Sequence, residues 1–472
     1  MMQVARSLTL LTCFSAIACA DDSRPNFILC MADDQGWGDV GYNGHEVLKT
    51  PVLDEMAATG LRLDRFYAAH PVCSPTRGSV LTGRNPNRFA CFSWGHTLRP
   101  EEVTIAEALS DAGYATGHFG KWHLGSVRVE DPVSPGGSGF DEWASTPNFY
   151  ENSPLFSQRG TVIETEGESS EVTVRAALEF IRRCAVDDQP FLAVIWFGNP
   201  HTPHDALPEL RALYPDATRA EQNYYGEITG IDQAMGLLRR ELRELGAAKN
   251  TLLWYTSDNG QQRRSPGSSG GLRGAKASLW EGGIRVPTII EWPARIRSPR
   301  VSDVPGVTSD IYPTLLELAG TSVEHQPTLD GESLVRLIDG RMTARSRPMG
   351  FWVYETRGIS TPAAKLMQQM KDEQDGKIPP REHPPLTPAA LMEVDFAPEQ
   401  RPGHACWIDG AWKLHRIPRK TGAVSFELYN LDDDFAETSD VSEDQSDRVR
   451  QMKSELDDWQ RSVIGSLNGD DY

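Results

Sequence analysis

Apolar positions along the chain gather into a few unbroken runs, each ending abruptly in polar residues. Asn26 to Ala32 (NFILCMA) is nearly all apolar, the pattern of a strand buried on both faces of a parallel sheet, and it stops at Asp33-Asp34-Gln35-Gly36. Phe191 to Phe197 (FLAVIWF) reads the same way and runs into Gly198-Asn199-Pro200-His201-Thr202-Pro203-His204. Thr251 to Thr256 (TLLWYT) runs into Ser257-Asp258-Asn259-Gly260, and a shorter stretch, Tyr114 to Phe119, leads to Gly120-Lys121-Trp122-His123. Helical spacing lies between them. Ile228, Ile231, Met235, Leu238, Leu242 and Leu245 recur on one helical face, with Gly246 where a C-terminal cap belongs. Thr50-Pro51 predicts another helix start, threonine as cap and proline at the first helical position. Strands alternating with helices predict an α/β fold around a mostly parallel sheet, whose ligands bind beyond the carboxyl ends of the strands. The four polar clusters then face one crevice.

Further along, Thr308 to Gly320 (TSDIYPTLLELAG) reads as a helix closing the large domain, and LDGESLVRLIDG as a second short one. The domain change is placed near Arg345, which divides the chain into residues 21–345 and 346–472. In the second part Trp412 to His415 and Phe426 to Tyr429 read as strands of a small antiparallel sheet, and Asp447 to Val463 as the last helix. Gly358 to Gly403, rich in proline and charge, reads as a long solvated surface insertion. No internal repeat is present.

The N-terminus adds a compartment. Arg6, an apolar run from Leu8 to Ala18, and Ala18-Cys19-Ala20 ahead of Asp21-Asp22-Ser23 predict a signal peptide over residues 1–20 and a periplasmic or secreted protein. Ala16-Ile17-Ala18 matches poorly the signal for acylating Cys19, and no later stretch is apolar enough to predict a membrane span. Past residue 20 the cysteines are Cys30, Cys73, Cys91, Cys184 and Cys406, an odd number for an oxidising compartment. A formal charge of −19 argues against nucleic acid as a partner, because counterion release needs a basic surface. An anionic substrate must therefore be met by local cations.

Taken singly, each polar cluster reads as turn chemistry or a packed histidine. Four at one sheet edge read as a site. Asp33, Asp34, Asp258 and Asn259 offer only hard oxygen ligands, which suits calcium or magnesium better than zinc. Lys121, His123, His201 and Lys276 are cationic or hydrogen-bond-donating groups suited to a tetrahedral oxyanion.

CSPTRGSVLTGR, residues 73–84, resembles the C-x-P-x-R signature of the type I (formylglycine-dependent) sulfatases, the arylsulfatase and N-acetylgalactosamine-6-sulfatase-like branch of the alkaline phosphatase superfamily. MADDQGWGD at 31–39, GKWHLG at 120–125, SDNG at 257–260, GAKASLWEGGIRVP at 274–287 and the tail LYNLDDDFAETSDVSED resemble further blocks in family order, with Thr76 where serine is commoner. The resemblance implies an alkaline phosphatase-like sheet, a smaller C-terminal α+β domain, and sulfate-ester hydrolysis. It implies that a maturation enzyme oxidises Cys73 to formylglycine (3-oxoalanine). It also implies calcium held by Asp33, Asp34, Asp258, Asn259 and the matured residue 73. Arg77 would orient the hydrated aldehyde, Lys121 and Lys276 would bind sulfate oxygens, His123 would serve the second hydroxyl, and His201 or Lys276 would protonate the leaving oxygen.

A plain thiol would not turn over: it would be left as a stable S-sulfated side chain. A hydrated aldehyde has one hydroxyl to attack sulfur and another whose deprotonation expels sulfate. GFDEW at 139–143, followed by Asn148, Phe149 and Tyr150, is similar to sulfatases acting on sulfated sugars, which makes a sulfated sugar or polysaccharide the expected substrate. His204, Arg263, Arg264 and Arg273 are placed in loops facing that sugar, with His204 and Arg273 as the binding candidates. Two rival readings are a phosphodiesterase or phosphatase of the same superfamily, disfavoured by Cys73, and a non-catalytic binder of sulfated glycans should Cys73 stay a thiol.

Overall fold

A computed structural model describes residues 24–380 and 396–472. The expected signal segment lies outside the described residues, as does part of the 358–403 stretch.

Ten strands form one sheet. From edge to edge their order is Arg300–Ser302, Leu61–Leu63, Ile289–Glu291, Thr251–Ser257, Asn26–Ala32, Phe191–Trp196, Ala115–Lys121, Glu142–Thr146, Leu155–Gln158 and Thr161–Glu164. The five central strands, from Thr251–Ser257 to Glu142–Thr146, are mutually parallel, and antiparallel pairs flank them on both sides. The apolar runs behave as their composition demands. Phe27, Leu29 and Met31 enter one core while Ile28, Cys30 and Ala32 enter the core on the other face. The first core is covered by the helices Cys73–Thr82, Ile105–Asp111 and Ile311–Ala319, the second by Pro51–Thr59, Ser169–Val186 and Arg219–Glu244.

Arg219–Glu244 buries Ile228, Ile231, Met235, Leu238 and Leu242, as their spacing predicts, and Gly246 follows at φ 72°. Its start was not read from sequence: Thr218 and Glu221 form a reciprocal capping box. Thr50 stands at the cap of Pro51–Thr59 but makes no capping bond. Its hydroxyl accepts the Gly41 N–H at 2.8 Å and donates to Asp54 Oδ1 at 3.1 Å instead.

A second, four-stranded antiparallel sheet is built from Met349–Trp352, Ala405–Asp409, Trp412–Pro418 and Val424–Asn430, and the helix Ser446–Leu467 ends the chain. The 358–403 stretch departs from the solvated insertion expected of it. Its described part contains the helix Ala363–Gln374, whose Met367 and Met370 are buried in the large core, and Gln374 Oε1 accepts the Val162 N–H at 2.7 Å. Pro-rich and charged composition hid a two-methionine apolar face. No disulfide joins the described cysteines; Cys30, Cys73, Cys91, Cys184 and Cys406 are free and buried. No helix of the described residues is long and apolar enough to cross a membrane.

Candidate active site

Strand register brings the acidic residues together. Ala32 is paired with Ser257, so the next residues, Asp33 and Asp258, leave the sheet side by side. The Asp258 N–H donates to Ala32 O at 3.1 Å and the Asp33 N–H to Asn199 O at 2.9 Å, which ties three strand ends together. Lys121 ends the neighbouring strand. The helix Cys73–Thr82 opens at Cys73 itself, so the thiol stands at the first helical position where unpaired amides favour an anion.

The charges interlock. Arg77, wholly buried, donates from Nε and Nη2 to Asp258 Oδ2 at 3.2 and 2.7 Å and from Nη1 to Lys121 O at 3.2 Å. Lys121 Nζ donates to Asp33 Oδ2 at 2.7 Å. Lys276 Nζ lies 2.5 Å from Asp34 Oδ1 and 3.3 Å from Cys73 Sγ. Asn259 Nδ2 donates to Asp34 Oδ1 at 2.7 Å, and the Asp34 N–H to Asp258 Oδ1 at 3.1 Å. Asp34 (φ 68°) takes left-handed backbone, as do His123 (58°) and, next to Lys276, Ala277 (69°), conformations that concentrate where a site over-determines them.

Two oxygens stand out. Asp33 Oδ1 and Asn259 Oδ1 are buried and have no hydrogen-bond partner, and an orphaned carboxylate or amide oxygen in a dry site is costly unless a cation satisfies it. Ligand atoms of Asp33, Asp34, Cys73 and His201 all lie within 4.8 Å of one another, a possible metal-binding group. Asp258 stands beside that group with both oxygens engaged by Arg77 and the Asp34 amide. The oxygen donors here, the Asp33 and Asp34 carboxylates with the Asn259 amide oxygen, fit a hard cation, while Cys73 Sγ and a His201 nitrogen are the softer atoms of the group.

Burial and charge set the protonation states. Burial pushes the Cys73 thiol up to about 12, against the pull of Lys121 and Lys276, so an unmodified thiol is protonated at neutral pH. Burial, with Asp258 and Asp34 adding to it against Lys121, raises Asp33 to about 7. At Asp34 the burial penalty is outweighed by Lys276, His201 and Lys121, which hold its carboxyl well below the usual range. Burial opposes charge on Lys276 too, but Asp34 wins and keeps the ammonium protonated. His201 is pulled down to about 3, chiefly by burial. Its Nδ1 donates to Thr202 O at 2.7 Å, so the neutral ring leaves Nε2 bare, 3.6 Å from Asp34 Oδ2. His123 is driven well below its ordinary value by burial and then by Lys121, and neither of its nitrogens has a partner.

Asp33, Asp34, Cys73, Arg77, Lys121, His123, His201, Asp258, Asn259 and Lys276 thus form one cluster. His204 and Arg273 do not join it. His204 Nδ1 is bound to Glu227 Oε2 at 3.0 Å. Arg273 donates to Glu437 O at 2.9 Å and to the Tyr429 hydroxyl at 3.2 Å, and stacks 3.4 Å over the Trp280 ring. Arg263 and Arg264 are exposed in the loop that follows Gln261, and Gln262 Oε1 of that loop accepts the Thr202 hydroxyl at 2.8 Å. On the outer side, Phe149 stacks on His201 at 4.1 Å between centroids and lines a groove of about 350 Å³ shared with Glu151, Asn152, Pro362 and Gln368. Asn148 Nδ2 donates to Thr361 Oγ1 at 3.0 Å, so the start of the 358–403 stretch forms one wall of this rim. Phe149 follows the GFDEW segment, but nothing in its spacing pointed to His201.

A mixed, mostly parallel sheet whose central strand ends converge on buried carboxylates and cations, with a thiol at the first position of a helix beside them, gives an α/β protein of alkaline phosphatase-like architecture. The family model described as Sulfatase matches residues 25–321, and the chain belongs to the sulfatase family, the sulfuric ester hydrolases. N-acetylgalactosamine-6-sulfatase of Canis lupus familiaris is 32% identical over 384 residues, 72% of this chain and 71% of that protein. Arylsulfatase G of Rattus norvegicus is 28% identical over 492 residues, 90% of each. Ps i-CgsB, solved in complex with k-i-k-neocarrahexaose, shares the fold with a TM-score of 0.78 at 23% identity, covering 93% of both chains.

Proposed function

We propose that this sulfatase acts on sulfated carbohydrates outside the cytoplasm, through formylglycine made from Cys73 by a maturation enzyme and a calcium ion, with magnesium as the alternative. Asp33, Asp34, Asp258 and Asn259, with the matured residue 73, hold the cation. The observation that carries the reading is the pair of orphaned buried oxygens, Asp33 Oδ1 and Asn259 Oδ1, beside Cys73, Lys121 and Lys276. When bound, the cation lowers the pKa of a hydroxyl at residue 73. A hydrated aldehyde at residue 73 supplies two hydroxyls on one carbon, where the protonated thiol supplies no nucleophile.

Around these groups the chain's own residues divide the work. Lys121 and Lys276 bind sulfate oxygens and stabilise charge developing on them. Arg77, braced on Asp258, orients residue 73. His123 takes the proton of the second hydroxyl on the one nitrogen of its neutral, unpartnered ring that carries no hydrogen. Of the two candidates for protonating the leaving oxygen, Lys276 is favoured: its ammonium is held charged beside Asp34, whereas neutral His201 presents a bare Nε2. His201, stacked on Phe149, shapes the leaving-group side. The groove beyond Phe149, lined in part by Tyr150, Asn152 and Gln368, suits a sugar ring, in keeping with the carbohydrate named in the Ps i-CgsB complex. His204 and Arg273 are assigned to the sugar side only indirectly, through Glu227 and Trp280. The catalytic part spans residues 21–345 and the C-terminal part 346–472, with residues 1–20 as a cleaved signal.

Peptide mass spectrometry around residue 73, joined to desulfation assays on defined sulfated mono- and disaccharides, tests the reading. An unmodified thiol in enzyme that turns over, or turnover of aryl sulfates with none of the sugars, would overturn it.

A further inference from the structure

The loop that carries Lys276 is closed on itself. The Gly282 N–H donates to Arg273 O at 2.7 Å and the Gly283 N–H to Trp280 O at 2.8 Å, so residues 273 and 280–283 form its base. Its tip faces the site: Lys276 N–H donates to Gln261 O at 3.0 Å, and Ala277 N–H to Pro71 O at 2.8 Å, two residues before Cys73. The base is held by the small C-terminal sheet through a network with no exposed side chain. Glu281 accepts from Lys413 Nζ at 2.8 Å and from the Tyr67 hydroxyl at 3.0 Å. Lys413 also lies 3.0 Å from Glu437 Oε1. Glu437 in turn accepts the Glu281 N–H at 2.6 Å and His415 Nε2–H at 2.7 Å.

Because burial keeps His415 neutral, the proton it donates to Glu437 leaves Nδ1 as acceptor for His404, 2.9 Å away. Glu437 sits at φ 56°, and its carbonyl takes the Arg273 guanidinium that stacks on Trp280. Buried charges of this kind are costly unless fully paired, and pairing fixes geometry more than it adds stability.

We propose that Glu437 and Lys413 are positioning residues for the sulfatase reaction: through Glu281 and Arg273 they hold the 273–283 loop so that Lys276 meets both Asp34 and residue 73. The C-terminal sheet thereby completes the active site without touching substrate. This rests on the assignment of Lys276 to the reacting sulfate, and a double-mutant cycle separates the two ideas.

The probe is 4-nitrophenyl sulfate, with kcat normalised to the matured fraction of residue 73 measured by mass spectrometry. Glu437→Gln, close to isosteric but uncharged, should lower kcat by about 10-fold to 10²-fold, the usual effect of ångström-scale misplacement, with KM changed less than about twofold. In a Lys276→Ala background the same change should cost less than about twofold, because the group being positioned is gone. Arg273→Met, at a solvent-exposed position, runs the same cycle should Glu437→Gln not fold. An additive cycle, or a loss confined to KM, overturns the positioning role. An unchanged kcat for Lys276→Ala alone overturns the Lys276 assignment instead.

Discussion

At the scale of single residues, the site is a problem of keeping opposite charges dry and in register. Asp33, Asp34 and Asp258 sit against Arg77, Lys121 and Lys276 with almost no solvent, so removing one partner leaves an uncompensated buried charge. Lys276→Ala should lower kcat by about 10²–10³, the effect of losing one donor to transition-state charge. If Lys276 also protonates the leaving oxygen, the loss should be greater on a sulfated sugar than on 4-nitrophenyl sulfate, whose leaving group needs no proton. Equal losses on the two would return that role to His201. Metal dependence is argued from the same cluster: stripping with a chelator should abolish turnover, and calcium should restore it to the parent but not to Asp258→Ala. Full activity of the stripped parent would remove the cation from the reading.

Cys73→Ser isolates the second hydroxyl. An oxygen nucleophile remains, so the variant should become sulfated once at residue 73 and then stall, with a single added sulfate on that peptide by mass spectrometry. Repeated turnover at the parent rate, with the introduced serine verified as unmodified, would refute the two-hydroxyl mechanism. These residues were legible in the sequence because each follows an apolar strand or stands in a short quoted block. The Glu281, Lys413, His415 and Glu437 network was not. Lys413 and His415 alternate on a strand in the pattern of a solvated face, and only the packing of a distant loop reveals that the face is buried. The signal available was a Lys-x-His alternation opposite a Glu in the GAKASLWEGG block, too common a combination to be read without coordinates.

Elements show the same division. Strands buried on both faces announce themselves through uninterrupted apolar runs, whereas Ala363–Gln374 is amphipathic on two methionines inside a charged, proline-rich stretch, so its composition outweighed its periodicity. The turn after Thr251–Ser257 and the 273–283 loop are fitted at one glycine. A Cβ on Gly260 would lie 2.0 Å from Gly282 O, and the Gly260 N–H donates to Gly283 O at 3.0 Å. Backbone cannot yield as a side chain can, so Gly260→Ala must push the Lys276 loop away from Asn259. The expected outcome is a folded protein with kcat reduced about 10-fold or more and weakened calcium restoration, because both sides of the site are displaced. Parent kinetics from a folded Gly260→Ala variant would show that the loop does not need this contact.

For the molecule as a whole, the question is whether residues before and after Arg345 fold as one unit. The interior joins the two parts by ion pairs and hydrogen bonds rather than by apolar contact alone. Asp330 accepts Arg88 Nε at 2.7 Å from one side and Trp459 Nε1 at 2.9 Å from the terminal helix, while Arg88 Nη1 reaches Ser466 Oγ at 2.7 Å. Together with the Glu281, Lys413 and Glu437 network, this makes separate unfolding expensive: opening the boundary strips partners from several charges that have no access to water. Calorimetry of the whole chain should therefore give one transition, and Arg88→Met should lower its stability by about 3–5 kcal/mol while leaving that transition single. A fragment ending at residue 345 should not fold to active enzyme, because Glu281 would lose Lys413 and Glu437, Arg88 would lose Ser462 and Ser466, and the Lys276 loop its base. Two resolved transitions, or a 21–345 fragment with parent kcat on 4-nitrophenyl sulfate, would show that the C-terminal part is an appendage rather than a wall of the active site.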